Sequence, residues 1–215
     1  MDSASNLIPL IQLRLKGAPE YLCNSALRKV ISQICRQTDC WRKSIPFVVS
    51  SIESTIDEKI RVEMPDPGYE AEYARLFRVF IEEYDADSAE FDDAYEIPAG
   101  SYRVKRGETT QIEFDDEEAV AVEDRLTLDV ALVPLEIGAT LNEIPVGIVQ
   151  MCGEAAVHLA IADLMLMPGR AWSSPETAGW ERIEGMNALR QIIANLDNGS
   201  TAEVAKAPVS GIIEG

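Results

Sequence analysis

The sequence predicts an α+β protein in which both ends of the chain form a helical bundle that carries an inserted antiparallel β domain. Apolar residues recur every three or four positions in the two flanks, whereas in the middle they alternate with a period of two. Charge changes at the same borders: residues 49–134 carry −16 of the net −18, and residues 1–48 carry +4. The predicted domains are residues 1–43 with 135–199 (helical), residues 44–134 (acidic β domain) and residues 200–215 (extended tail).

The first predicted helix begins near Pro19, because proline suits the first helical position. Basic residues (Arg28, Lys29 and Arg36) are expected on its solvent side, and Trp41 is expected to close the segment. The following apolar or small residues repeat in pairs every four positions and predict a broad buried stripe: Leu22, Cys23, Ala26, Leu27, Val30, Ile31, Ile34 and Cys35.

The middle of the chain predicts short strands. Pro46 is expected to stop any helix before them. Turn residues separate several stretches that alternate apolar and polar side chains, which is typical of a small antiparallel sheet or sandwich. The apolar members of these stretches are Ile60, Val62 and Met64; Phe77, Val79 and Ile81; Ile112 and Phe114; and Leu126, Leu128, Val130 and Leu132.

The second helix is predicted from Pro145 to Met167 and is nearly all apolar. Its polar residues Gln150, Glu154 and His158 recur every four positions and form one narrow stripe. A membrane span needs about 20 apolar residues without such a stripe. We therefore expect the central helix of a bundle.

The third helix has a clear predicted start. Either Ser174 caps it with Pro175 at the first position, or Ser173 and Glu176 form a capping box. Apolar residues then keep a spacing of three or four up to Leu196, and the Asn-Gly pair that follows is a good stop signal.

Composition excludes several function classes. The chain is 47% hydrophobic, enough to bury a real core, and its 37 acidic residues exceed 19 basic ones. Clamping of nucleic acid or docking on anionic lipid would need the opposite charge, so we expect neither specific DNA binding nor a membrane partner. The four cysteines show neither a disulfide framework nor zinc-ligand spacing, and we expect reduced thiols.

Candidate chemistry is sparse. Glu154 and His158 lie one helical turn apart and could ligate a metal, but His158 is the only histidine, so a plain polar pair is the preferred interpretation. The acidic runs lack a calcium-loop pattern, and no nucleophile or phosphate-loop motif is present. The sequence therefore predicts a protein that is not an enzyme, with no catalytic residue, metal site or cofactor.

The three tryptophans are candidates for packing. Trp41, Trp172 and Trp180 are expected at helix ends or on a helix face. Such residues serve either the core or a contact between subunits.

Two stretches resemble a known family. The first comprises residues 17–19 (Gly-Ala-Pro), 26–28 (Ala-Leu-Arg), 34–38 (Ile-Cys-Arg-Gln-Thr) and 41–42 (Trp-Arg). The second runs from residues 130–134 (Val-Ala-Leu-Val-Pro) through Ile144-Pro145 to residues 164–176, which contain the phrase Met-Pro-Gly-Arg-x-Trp-Ser-x-Pro-Glu. In this order they resemble the head-to-tail adaptor (connector) proteins of tailed bacteriophages, the tail tubular protein A-like family of short-tailed phages.

The resemblance, which covers residues 17–42 and 126–196, implies a structural virion protein with no catalytic residues. Such a protein would form a homo-oligomeric ring, commonly of twelve copies, at the neck between capsid and tail. It would be assembled in the host cytoplasm, bind the portal protein and the tail nozzle or tube protein, and let DNA pass through its lumen.

Two hypotheses concern the surfaces of such a ring. The tail would reach the portal through its apolar residues Val204, Val209, Ile212 and Ile213. Acidic residues would face the lumen or the tail and keep phosphate from binding: Asp92, Asp93, Asp115, Asp116, Glu117 and Glu118.

Two alternatives stay open, and an enzyme with a pocket around His158 and Glu154 is a distant third. The chain could be a head-completion or stopper protein at another level of the neck. It could also be an intracellular acidic adaptor that binds a basic partner through residues 49–134.

Overall fold

The computed structural model describes residues 4–54, 59–68, 70–86, 88, 90–106, 110–116, 118–135 and 141–197. It is 42% helical and 29% strand, with antiparallel sheets. This confirms the predicted mixture of helix and antiparallel sheet. The predicted tail, with Val204, Val209, Ile212 and Ile213, lies outside the described residues, as does Glu117.

Four α-helices and two short 3-10 helices are present in the described ranges. The α-helices are α1 (Ile8–Arg14), α2 (Glu20–Thr38), α3 (Val146–Met165) and α4 (Pro175–Asp197). The 3-10 helices are Ala4–Leu7 and Leu141–Glu143.

Within the described ranges, ten strands lie between α2 and α3. They are β1 (Arg42–Val48), β2 (Glu53–Ser54), β3 (Ile60–Glu63), β4 (Ala71–Glu82), β5 (Tyr84–Asp85), β6 (Glu90–Phe91), β7 (Tyr95–Ile97), β8 (Tyr102–Arg106), β9 (Thr110–Phe114) and β10 (Arg125–Pro134).

The chain divides into two compact units. One contains residues 1–34 and 140–215, here called the helical unit, and the other contains residues 35–139, here called the sheet unit. The predicted boundary after residue 43 does not coincide with this division, which falls within α2. The last turn of α2 belongs to the sheet unit, where Arg36 pairs with Glu72 and Cys35 Sγ lies 3.7 Å from Cys40 Sγ.

Helix α3 forms the core of the helical unit. It is buried on most sides, while Gln150 and Glu154 of its polar stripe are exposed. By length and mean hydropathy (1.4) α3 could span a membrane, but 61% of its apolar window is buried inside the protein, as in a core helix.

Two glycines of this unit face neighbouring side chains, and at Gly185 the absence of a side chain lets two helices approach closely. A Cβ at Gly185 of α4 would lie 2.6 Å from Leu159 Cγ of α3, so no larger residue fits without a shift. A Cβ at Gly153 of α3 would meet the Leu7 side chain at 3.5 Å.

An ion-pair node joins three helices. Asp163 of α3 accepts hydrogen bonds from Lys29 Nζ of α2 at 3.3 Å and from Arg182 Nη2 of α4 at 3.0 Å. All three side chains are partly solvated, so each pair contributes at most about 1 kcal/mol and mainly fixes orientation.

The start of the chain differs from expectation. The sequence did not predict α1, because Pro9 and Gln12 interrupt its short apolar run; Pro9 occupies its first turn, where no N–H is needed. Arg28, expected on the solvent side of α2, is buried.

The sheet unit contains two four-stranded sheets, here called the first and second sheets, and the β5–β6 hairpin. The strand orders are β1-β10-β4-β7 and β2-β3-β9-β8, and all pairs are antiparallel. The predicted apolar residues of β3, β9 and β10 are buried: Ile60, Val62, Ile112, Phe114, Leu126, Leu128, Val130 and Leu132. The alternation itself is confirmed in β3 and in the first half of β10, whereas Glu113 of β9 and Ala131 and Val133 of β10 are buried as well.

Strand β4 alternates less regularly than predicted. Val79 and Ile81 are buried, but Phe77 is only half-buried. The pairing with β10 shifts at two places and leaves Phe77 and Ala74 without a partner residue, which marks two β-bulges. The first bulge places Phe77 outside the strict alternation.

Strand β1 corrects two expectations. It begins at Arg42, within the segment predicted to be helical, and Pro46, expected only as a helix stop, lies inside it. β1 is at the edge of its sheet, where a residue without an N–H is tolerated.

We expect Gly185→Ala to lower the free energy of unfolding of the helical unit by about 1–3 kcal/mol, because the new methyl group overlaps Leu159. Gly179→Ala is a matched control on the exposed side of α4, with nothing within 4 Å of its new Cβ. It should raise stability by about 0.5–1 kcal/mol, since alanine favours helix over glycine. Urea denaturation followed by circular dichroism measures both, and equal stabilisation by the two variants would contradict the close packing.

Candidate functional site

The exposed side of α4 carries an apolar stripe. Trp180, Ile183, Met186 and Ile193 are 66%, 53%, 40% and 40% exposed, and they follow one another at helical spacing. Exposed apolar side chains that cluster on one face of an element mark an interaction surface. We call these four residues the α4 stripe.

The opposite side of α4 is narrow and already occupied. It buries a single row of residues that faces α3: Ala178, Glu181, Gly185, Leu189 and Ile192. Helix α4 therefore has one face that packs in the helical unit and a second, apolar face that is partly exposed.

The connection between α3 and α4 contains the phrase that carries the family resemblance. Gly169 has a φ of +72°, which glycine adopts without strain, and Pro168 cannot continue α3. The Ser174 N–H and the Ser173 hydroxyl both donate to the Met165 carbonyl at the end of α3, at 3.0 and 3.3 Å. This stretch therefore ends one helix and begins the next within a few residues.

The structure distinguishes between the two predicted starts of α4. Pro175 is its first residue, and the Ala178 N–H donates to the Ser174 carbonyl at 2.9 Å. The Ser174 hydroxyl lies 2.8 Å from the Thr177 hydroxyl. The observed start thus corresponds to Ser174 before Pro175, and not to a box of Ser173 and Glu176.

The three tryptophans occupy different environments. Trp41 is fully buried in the sheet unit, where its carbonyl accepts a hydrogen bond from the Leu132 N–H. Trp172 is half-buried in the α3–α4 connection beneath the Arg170 guanidinium, 5.9 Å from the ring centroid. Only Trp180 is free to contact another molecule over most of its surface.

The single histidine pairs across helices. His158 Nδ1 lies 2.6 Å from Glu181 Oε2, and Arg14 of α1 pairs with the other oxygen of Glu181. Glu154, the partner considered from the i, i+4 spacing, is exposed beside Gln150 and Asn195. The partner that sequence reasoning missed is Glu181, and its role here is to link α1, α3 and α4.

The predicted acidic residues do not form one site. Asp92, Asp93, Asp116 and Glu118 are exposed, and no described cation pairs with them. Asp115 pairs with Lys59 Nζ at 2.6 Å, which lowers the pKa of Asp115 and neutralises its charge. Among the residues that the structure describes, no group of three or more metal-ligating side chains comes together.

A buried carboxylate in the second sheet was not anticipated. Glu113 of β9 lies directly opposite Arg61 of β3 and Arg103 of β8. Its oxygens accept from Lys105 Nζ at 2.6 Å, Arg61 Nε at 2.9 Å and Arg103 Nε at 2.7 Å. The hydrogen bond from Lys105, with those from both arginines, lowers the pKa of Glu113 to about 2. Alternating cations in the two neighbouring strands are the sequence signal that could have revealed this cluster.

Comparison with protein-family models gives no match, and comparison with curated proteins gives none. The adaptor family therefore stays a prediction from the two stretches quoted above. The geometry alone assigns surfaces and no reaction.

The Glu113 cluster predicts a pH dependence. Because the pKa of Glu113 is about 2 in the folded protein against 4.5 for an unperturbed glutamate, its stabilisation is complete above about pH 4.5 and is lost as pH falls toward 2. Glu113→Gln should therefore melt at a lower temperature than the wild type at neutral pH, and the gap should shrink between pH 4.5 and 2.

Thermal melts across this pH range measure that gap. Glu118→Gln is the control, since no described cation pairs with Glu118, and it should follow the wild type at every pH. A gap that stays constant down to pH 2 would show that the ionised Glu113 carboxylate does not stabilise the sheet.

Proposed function

We propose that this protein is a structural protein of a tailed bacteriophage particle, a ring-forming head-to-tail adaptor that joins the portal to the tail nozzle or tube. DNA passes through the lumen of the ring. The observation that carries the proposal is the uncovered α4 stripe, which follows directly on the α3–α4 connection that resembles the adaptor family. We assign the protein no catalytic residue, metal or cofactor.

The helices are proposed to form the bundle expected of such an adaptor. The Asp163 node, the close approach of Gly185 to Leu159 and the link from Arg14 through Glu181 to His158 support this arrangement. In this proposal α3 is the central helix of the bundle and α4 lies on its outside.

A closed ring needs two different surfaces on each copy, because neighbouring copies meet head to tail. The α4 stripe supplies one apolar surface. Leu10 and Leu13 of α1 and Tyr21 of α2 are exposed in the same unit and offer a second. Burial of either surface on a neighbour stabilises the contact by about 25 cal/mol per Å² of apolar area.

The negative surface charge is compatible with a channel through which DNA passes without binding. Exposed carboxylates such as Asp116 and Glu118 repel phosphate, whereas binding requires Lys and Arg to neutralise it. We propose that these two residues face the lumen or the tail, and that DNA passes without specific binding.

The tail is proposed to meet the portal. Val204, Val209, Ile212 and Ile213 are its larger apolar residues, set among small ones. Such a segment suits binding in which apolar side chains dock on a partner surface as the chain becomes ordered.

Two alternative functions predict different assemblies. A head-completion or stopper protein would also form a ring but at another level of the neck, and a view of the intact neck by cryo-electron microscopy separates the two. An intracellular acidic adaptor would form a stoichiometric complex with a basic protein and no ring.

We expect the wild-type chain, alone or with the portal protein of the same virus, to form rings about twelve times the 23.7 kDa mass of one copy. Trp180→Asp with Ile183→Asp should stay monomeric, because two charges would be buried in the contact. Negative-stain imaging and mass photometry measure the outcome.

The control for this pair is Val122→Asp, which adds a charge at a similarly exposed apolar residue of the sheet unit. Rings formed equally by the double variant would rule out the α4 stripe as the contact. Particles whose capsid and tail stay joined without this chain would refute the adaptor function itself.

Deleting residues 200–215 should leave the melting temperature unchanged within error and should weaken attachment of the ring to the portal. Substituting Val204, Val209, Ile212 and Ile213 by serine should act in the same direction, since apolar docking is lost. Co-sedimentation of the ring with portal measures both, and normal attachment of the deletion variant would exclude the tail as the portal contact.

A further inference from the structure

A basic groove of about 460 Å³ lies on the first sheet of the sheet unit. Strands β1, β10 and β4 build it side by side, with Ser44 opposite Asp129 and Asp129 opposite Arg78. The residues that line it are Arg42, Lys43, Ser44, Phe77, Arg78, Asp129 and Val130.

The bulge in β4 shapes the floor of this groove. It brings the Phe77 ring beneath Arg42, whose guanidinium carbon lies 4.7 Å from the ring centroid, and Arg75 reaches the same ring at 5.9 Å. A guanidinium held over an aromatic face loses less freedom on binding a carboxylate. Arg42 is thereby held in place for a ligand.

The groove has a surplus of positive charge. Arg78 pairs with Asp129 at 3.0 Å, and Arg75 pairs with Asp39 at 2.7 Å. Arg42 is exposed, and among the described residues no carboxylate pairs with it; its Nε donates only to the Asp39 carbonyl at 3.4 Å. An exposed arginine that pairs with no carboxylate of its own chain can bind a carboxylate of another molecule through two parallel hydrogen bonds.

The other end of β4 and the β5–β6 hairpin that follows it are strongly acidic. From Arg78, β4 continues four residues to Glu82, about 13 Å at the usual rise of a strand. The cation nearby is Arg125, which pairs with Glu82 at 2.9 Å and covers the Phe91 ring. The described carboxylates at and beyond the end of β4 are here called the acidic edge: Glu82, Glu83, Asp85, Glu90, Asp92 and Asp93.

We propose that the basic groove of one copy binds the acidic edge of a neighbouring copy. The two surfaces are complementary in charge, and a separation of about 13 Å exceeds the Debye length of about 8 Å at physiological salt, so they interact weakly within one copy. A contact between unlike surfaces is of the head-to-tail kind that closes a ring. The inference rests on the proposed function for that ring, and it directs Asp92 and Asp93 toward a neighbour and away from the DNA path.

A nucleic-acid strand fits the groove less well than a protein carboxylate. The net charge of −18 and the adjacent acidic edge repel a long polyanion. The acidic edge of another copy presents a few carboxylates on a folded surface. It can enter the groove without bringing a phosphate chain across the rest of the sheet unit.

Charge reversal in the full-length chain tests the contact. The groove variant is Arg42→Glu with Ser44→Glu, and the edge variant is Asp92→Lys with Asp93→Lys. Each alone should raise the apparent dissociation constant between copies at least about tenfold, because like charges then meet. An equimolar mixture should assemble again, since reversed groove meets reversed edge and native groove meets native edge.

Ser51→Glu and the pair Glu53→Lys with Glu63→Lys are matched controls at exposed positions of the sheet unit, outside the groove, the acidic edge and the α4 stripe, and they should assemble as the wild type does. Sedimentation velocity at low and high salt measures the assemblies, and circular dichroism shows that each variant is folded. Wild-type association should weaken as salt rises.

Three results would overturn the inference: reversal variants that assemble like the wild type, a mixture that does not recover, or a wild type that never self-associates. Binding of a single-stranded DNA oligonucleotide that Arg42→Glu abolishes, without any change in self-association, would assign the groove to nucleic acid instead. The proposed function fails on a different observation, an intact neck without this chain, so the two failures are distinguishable.

Discussion

The helical unit depends on the enclosure of α3 by its neighbours. A helix that is apolar on most sides gains stability only where other elements remove those sides from water. Glycine at position 185 lets α4 approach α3 closely, and the Asp163 node orients α2 and α4 around α3. Only a narrow row of α4 side chains is buried against α3. Helix α4 therefore has a second apolar face that is available for other contacts. The free surface proposed for ring contacts is thus a consequence of how the core is covered.

The sheet unit distributes its few cations unevenly. Three of the basic residues in residues 49–134 surround the single carboxylate of Glu113, and Lys59 neutralises Asp115. Arg75 and Arg78 lie at the groove end of the first sheet, and Arg106 donates to the carbonyls of Tyr73 and Ala74 beside the bulges. Only Arg125 is left for the acidic edge. The net charge of the sequence is one number, but within the sheet unit the positive and negative side chains are separated in space.

The periodicity of apolar residues and the signals at helix ends predicted several elements correctly. The alternation in β3 and in the first half of β10, the limits of α3 and the start of α4 at Pro175 follow from side-chain period, proline and serine chemistry. α1 and β1 were missed because each contains a proline in a short run, where periodicity has too few residues to show. The bulge at Phe77, the pairing of His158 with Glu181 and the cluster at Glu113 depend on the register between elements distant in sequence. No window of neighbouring residues contains that register.

Pro46 has a consequence for the proposed ring. Copies arranged around a common axis bring their sheet margins together at high local concentration, where open margins add further strands and grow into aggregates. At one margin of the first sheet, β1 carries a proline that offers no amide hydrogen to an incoming strand; at the other, β7 is only three residues long. Strand addition at these two margins is therefore disfavoured. In the proposed ring, contacts between side chains then determine which surfaces of neighbouring copies bind each other.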